Sequence, residues 1–166
     1  MISLLRVDGR LIHGMITVPW CGALKPDCLI VVNDKAANDP VHTMTLKLAK
    51  PANVDVFIWT HEKAYDRLNG PKFKNRKCFI TCATIVDAEK LVNNVPDIKK
   101  LNIGPEVDEK GGRITEGKEN FHNVYISKEG YEILKRIHTK GVEIFAQVTP
   151  MVERVDFTEI ANRFEK

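Results

Sequence analysis

Short apolar runs alternate with amphipathic stretches along the chain, the arrangement of strands interleaved with helices. Seven runs, at residues 2–7, 28–33, 54–59, 78–82, 100–103, 124–126 and 142–148, are apolar at most positions rather than at every second one. Strands of that kind are covered on both faces, which predicts a mainly parallel sheet with helices on each side. The helix signals between them are local. Asp39 before Pro40 reads as a cap followed by a first helical residue, opening a helix over 41–49. Thr60 and Thr84 are placed to cap helices over 62–68 and 86–93, and Ser127 one that reaches about 139, with Gly141 just past its end. Asp156 and Glu159 form a capping-box-like pair ahead of a last helix over 157–164.

Two stretches depart from this pattern. A helix from Ile12 towards Leu24 contains Pro19, which removes one backbone hydrogen bond and clashes with the preceding turn. It is expected to kink there, or to end early with Trp20 packed beneath. Residues 104–123 are charged and glycine-rich and are expected to hold a short hairpin or a surface loop.

Composition narrows the classes. With 166 residues, 43% hydrophobic and 28% charged, the chain has the makeup of one globular domain. Its net charge of +3 comes from 25 basic and 22 acidic residues, scattered rather than gathered into the basic face that nucleic-acid binding needs. No apolar run approaches the ~20 residues of a membrane span, and the first ten residues do not read as a signal peptide. A cytoplasmic chain with no direct membrane insertion is therefore expected. The cysteines at 21, 28, 78 and 82 form no C-x-x-C pair and no metal-like spacing with a histidine. They read as reduced, structural thiols, and neither a metal nor a cofactor is expected. No glycine-rich nucleotide motif is present either.

Candidate chemistry gathers in "RVDGRLIHGM", residues 6–15. The segment leaves the first strand and enters a helix. Ligands of α/β sheets sit at such carboxyl ends, and a helix start offers unsatisfied N–H groups to an anion. A neutral imidazole at His13 would keep a ring lone pair for attack on phosphorus. Arg10 offers a permanently charged fork to phosphoryl oxygens. Asp8 is placed to orient the ring or to hold an arginine. Gly9 and Gly14 would let backbone approach a phosphate with no Cβ in the way.

The string "RVDGRLIHGMI" resembles Arg-Ile-Asp-Asp-Arg-Leu-Ile-His-Gly-Gln-Val. That signature belongs to enzyme IIB subunits of the mannose/fructose/sorbose family of the bacterial sugar phosphotransferase system. "LIVVNDKAANDP", "LNIGPEV" and "KGVEIFAQVTP" extend the likeness over nearly the whole chain, as one enzyme IIB domain over residues 1–166. "NDKAANDPV" and "FIWT" look closer to the N-acetylgalactosamine-type branch. The resemblance implies a three-layer α/β/α fold with a mixed, mainly parallel sheet of about seven strands. It implies a phosphocarrier that takes a phosphoryl group from phosphohistidine on enzyme IIA and passes it to a hexose or amino sugar carried by membrane subunits IIC and IID, at whose cytoplasmic face it would work. The family's phosphorylated histidine falls on His13, its phosphate-side arginine on Arg10 and its first-loop acid on Asp8. Arg6, Gly9, Leu11, Ile12 and Gly14 would line the phosphate or its rim, with Asn33 and Asp34 from the second strand's end. Gly9 and Met15 stand where the signature has aspartate and glutamine, and His42 where mannose-type members have a second arginine. Those departures leave open a non-catalytic regulatory module that retains the fold. His61, His122 and His138 fall in no recognisable cluster.

Overall fold

A computed structural model describes all 166 residues. The strands, in chain order, are β1 (Ile2–Val7), β2 (Cys28–Val32), β3 (Asp55–Trp59), β4 (Cys78–Cys82), β5 (Lys100–Ile103), β6 (Glu119–Phe121), β7 (Val124–Ile126), β8 (Glu143–Ala146) and β9 (Val155–Asp156). The helices are α1 (Gly14–Leu24), α2 (Asp34–Ala37), α3 (Pro40–Leu48), α4 (His61–Asn69), α5 (Ile85–Asn94), α6 (Lys128–His138) and α7 (Phe157–Phe164). Seven strands form one sheet in the order β3-β2-β4-β1-β5-β8-β9, parallel except for β9, which runs antiparallel to β8.

Alternate residues of each central strand serve opposite layers. Cys28, Ile30 and Val32 join a cluster of 31 buried residues under α4 to α7, while Leu29 and Val31 join a cluster of 12 under α1 and α3. Both faces of β2 are therefore dry, which is why it reads as an unbroken apolar run. The chain leaving β1 crosses to β2 through α1 on the thinner side. The chain leaving β4 crosses to β5 through α5 on the thicker side. Connections diverge around the carboxyl end of β1, the geometry in which open α/β sheets bind ligands.

The local caps form where the sequence puts them. Asp39 accepts from the N–H groups of Val41 and His42, Thr60 from Lys63, Thr84 from Asp87 and Ser127 from Gly130. Gly141 takes φ +80° beyond α6, a left-handed conformation suited to glycine.

Four points differ from the sequence reading or add to it. The seventh strand of the sheet is β9, because residues 124–126 pair instead with β6 in a separate antiparallel hairpin. The capping box at Asp156 does not form: its carboxylate accepts from Arg154 Nε at 2.6 Å and gives α7 no side-chain cap. Residues 34–37 form a helical turn, α2, opened by the Asn33 side chain on the Ala36 N–H. Finally, α1 does not stop at Pro19 but continues to Leu24, with Trp20 buried beneath it. The carbonyl that Pro19 leaves without a donor belongs to Met15, whose residue is 79% exposed, so water can reach it.

Candidate functional site

The segment after β1 is stitched to both neighbouring strands. The Asp8 N–H donates to Cys82 O at the end of β4, and the Gly9 N–H to Pro105 O just past β5, each at 2.8 Å. The Leu11 N–H then closes a turn on Asp8 O at 2.9 Å, with Leu11 at φ 61°. A side chain in that left-handed conformation costs roughly 1–2 kcal/mol. It is held there because the Leu11 and Ile12 side chains are both buried in the thinner core layer. The turn delivers His13 to the first position before α1, in extended conformation. The His13 N–H donates to Thr17 Oγ1 at 2.9 Å, and its carbonyl accepts from Ile16 and Thr17.

Beneath this turn lies a buried charge network. Arg6 is 1% exposed and donates through Nε and Nη2 to Asp8 Oδ2, at 3.3 and 2.9 Å. Its Nη1 donates to Asn102 Oδ1 and, at 3.0 Å, to Gln147 O. The guanidinium also lies 5.3 Å from the centre of the Trp20 ring. Burial pushes the Arg6 guanidinium below its ordinary pKa, and the carboxylate of Asp8 opposes that shift. The second Asp8 oxygen accepts the Arg10 N–H at 3.1 Å. Asp8 thus fastens the turn to the arginine below it rather than orienting the His13 ring. Gly104 is required here, since a Cβ on it would come within 2.5 Å of Arg6 Nη2.

Above the network the groups are uncommitted. Nδ1 of His13 is shielded from solvent and has no hydrogen-bond partner, and no protein group bonds to Nε2 either. The N–H groups of Ile12, Gly14 and Met15 donate to nothing in the chain. The half-buried Arg10 forms no ion pair and no side-chain hydrogen bond. Imidazole, three free N–H groups and a free guanidinium along residues 10–15 make a setting for a tetrahedral dianion next to a nucleophile. Surface concavities of about 440, 520 and 480 Å³ lie elsewhere, around Lys99, Arg163 and Lys50, so none of these three contains His13. No group of three or more His, Cys, Asp or Glu is placed to hold a metal.

The remaining expected site residues divide. Arg6 is not at a rim but is the buried anchor described above. Gly9 makes room for protein: a Cβ there would meet Val107 Cγ2 at 2.6 Å. Leu11 and Ile12 turn their side chains inward, which leaves only main chain to face a ligand. Gly14 is exposed, with open space where a Cβ would stand. Asn33 caps α2, and Asp34 accepts from both the N–H and Nδ1 of His61, at 2.7 and 3.1 Å. His61 is therefore not isolated, since its Nε2 also lies 3.4 Å from Asp87. His42 starts α3 with its N–H on Asp39, and no hydrogen bond joins its ring to residues 6–15. Sequence reasoning missed Thr17 and Gln147 as supports. A threonine four residues beyond His13 carries a usable helix-start signal, whereas Gln147 acts through a carbonyl and leaves none.

The sequence and the fold have counterparts among known proteins. The N-acetylgalactosamine-specific phosphotransferase enzyme IIB component 1 of Escherichia coli is 30% identical over 151 residues, 90% of this chain and 91% of that one. The sorbose-specific EIIB component of Lacticaseibacillus casei is also 30% identical, over 89% of this chain and 87% of that one. The crystal structure of the IIBSor domain of the sorbose permease from Klebsiella pneumoniae superposes with a TM-score of 0.84 at 25% identity, covering 98% and 97% of the two chains. The family model for the sorbose-subfamily IIB component of the phosphotransferase system matches residues 2–166. The chain belongs to that family, whose members are phosphotransferases of sugar transport.

Proposed function

We propose that His13 is the residue that carries the phosphoryl group. Phosphohistidine on an enzyme IIA is the donor, and a sugar presented by membrane subunits IIC and IID is the acceptor. The observation that carries the reading is the set of uncommitted groups around His13: a ring without protein partners, three undonated N–H groups and the unpaired Arg10 guanidinium. In the first transfer a ring lone pair of His13 forms the new N–P bond. The donor's P–N bond breaks, and its electron pair returns to the donor imidazole. In the second, a sugar hydroxyl oxygen takes the phosphoryl group, its proton passes to water, and the N–P electron pair returns to the His13 ring. Both steps ask the protein mainly for position and positive charge around the transferring oxygens. Arg10 and the N–H groups of Ile12, Gly14 and Met15 provide the charge. Asp8, acting through Arg6 and the Arg10 N–H, provides the position.

The deciding experiment incubates the chain with a phosphorylated enzyme IIA and looks for one acid-labile phosphoryl adduct by intact mass. The adduct is expected on the wild type and absent from His13→Ala. An adduct that survives in His13→Ala would assign the nucleophile elsewhere. An adduct that forms on His13 but never reaches sugar in membranes holding matching IIC and IID would favour the regulatory module.

A further inference from the structure

The seven-stranded sheet has two unlike edges. One is β9, two residues long; the other is β3, five residues long and paired on one side alone, to β2. The Asp55 N–H donates to Asp27 O and the Trp59 carbonyl accepts from the Asn33 N–H, so Asp55, Phe57 and Trp59 turn their main chain inward. By the alternation of a parallel ladder, the N–H and C=O groups of Val56 and Ile58 then face outward, and no group of the chain bonds to them. Val56, Phe57 and Ile58 are half-buried, whereas every residue of β2 beside them is buried. A surface concavity lies on either side of this edge, and Phe57 lines both. One, of about 480 Å³, opens towards the end of α3 and is lined by Lys47, Lys50 and Asp55. The other, of about 200 Å³, opens beside α4 and is lined by Lys63, Arg67 and Lys72. Five cations thus flank β3 against one carboxylate, and that of Asp55 is already held by Arg76 at 2.6 Å. Of the five, Arg67 alone has an ion pair, with Asp66 at 3.7 Å.

We propose that the open edge of β3 takes up an extended acidic segment of a partner protein as an added strand. Main-chain bonds to Val56 and Ile58 supply the affinity. Alternate side chains of the incoming strand lean towards the two concavities, where the basic groups select carboxylates. Charge decides against a second copy as the occupant, since β3 paired with β3 would set two net-positive edges against each other. An open strand edge is otherwise a hazard, and lysines beside it repel further copies. The same lysines attract a negative strand, so protection from self-pairing and choice of partner have one cause. Nucleic acid fits less well: the Trp59 and Phe73 residues are 5% and 4% exposed and offer no ring face for stacked bases. β3 lies three strands from β1, so filling its edge does not involve the His13 turn.

The test titrates the chain into a fluorescent, end-capped peptide of alternating glutamate and valine and reads anisotropy at low ionic strength. Saturable binding is expected. Methylating every second backbone nitrogen of the peptide, in the phase that faces β3, leaves its charge unchanged and is expected to weaken binding by about tenfold or more. The opposite phase of methylation is expected to be tolerated, and the lysine counterpart of the peptide to bind at least tenfold more weakly. Val56→Pro removes an outward N–H and no bond to β2, so it is expected to abolish binding with the circular dichroism of the wild type. The double variant Lys47→Glu, Lys50→Glu changes two exposed side chains and is expected to weaken binding several-fold, which keeps the test decisive if the proline variant does not fold. No saturable binding to the wild type overturns the proposal, as does equal binding of the unmethylated peptide and both methylated forms. A wild-type dimer that the double variant splits into monomers overturns it too, and assigns the edge to a second copy. Tighter binding of oligothymidylate than of the acidic peptide overturns it in favour of nucleic acid.

Discussion

At the scale of single residues, the decisive pair is Arg6 with Asp8. A guanidinium 1% exposed has left water, and Asp8 is the sole ionised group that bonds to it. Removing one partner of such a pair strands the other charge, at about 3–5 kcal/mol. Asp8→Ala is therefore expected to lower unfolding free energy by that amount in urea titrations, and Asp8→Asn, which keeps an acceptor oxygen, by distinctly less. A loss under about 1 kcal/mol for the alanine variant would mean that Asn102 and the Gln147 carbonyl suffice for Arg6. The charges were legible in the sequence; their arrangement was not. The partners of Arg6 beyond Asp8 lie 96 and 141 residues further along, and only the parallel pairing of β1, β5 and β8 brings them together. His13 was easier to find, because its setting depends on a strand end and a helix start that adjoin it in the chain.

At the scale of elements, legibility follows how local the cause is. The caps at Asp39, Thr60, Thr84 and Ser127 lie within three residues of the N–H groups they satisfy, and each forms as read. Asp156 fails as a cap because Arg154, two residues before it, takes the same carboxylate. The two-residue strand β9 has no periodicity to read, and it exists through its pairing with β8. Pro19 marks the limit of propensity: burial of Trp20, Thr17 and Cys21 holds α1 together through a residue that disfavours it. Pro19→Ala restores a donor for the Met15 carbonyl and removes the ring's clash, worth about 3 kcal/mol in a helix interior. Against this, the unfolded chain gains up to about 1 kcal/mol of conformational freedom. The variant is expected to be more stable by about 2 kcal/mol in thermal and urea melts. Equal or lower stability would show that the proline ring's packing outweighs the lost hydrogen bond.

At the scale of the molecule, the two layers differ in depth yet share every central strand. The thicker layer gathers 31 buried residues and the thinner one 12, and the candidate site stands on the thinner side, at the head of α1. A site on the shallower layer could in principle melt before the rest. The sheet argues against this: Leu29, Val31 and Phe79 of the thinner core alternate along the same strands with Ile30, Val32 and Ile80 of the thicker one. Losing one layer would expose half of every central strand to water, at roughly 1.5–3 kcal/mol for each large side chain. The two tryptophans make this measurable, because Trp20 lies in the thinner core and Trp59 in the thicker. In Trp59→Phe, fluorescence reports on Trp20 alone; in Trp20→Phe, on Trp59 alone. Within each variant the urea midpoint by fluorescence is expected to coincide with that by far-ultraviolet circular dichroism, as for a two-state transition. If the Trp20 signal is instead lost at lower urea than the helical signal, α1 and His13 form a separately melting unit. The rigidity of the candidate site would then come from its local hydrogen bonds and not from the sheet.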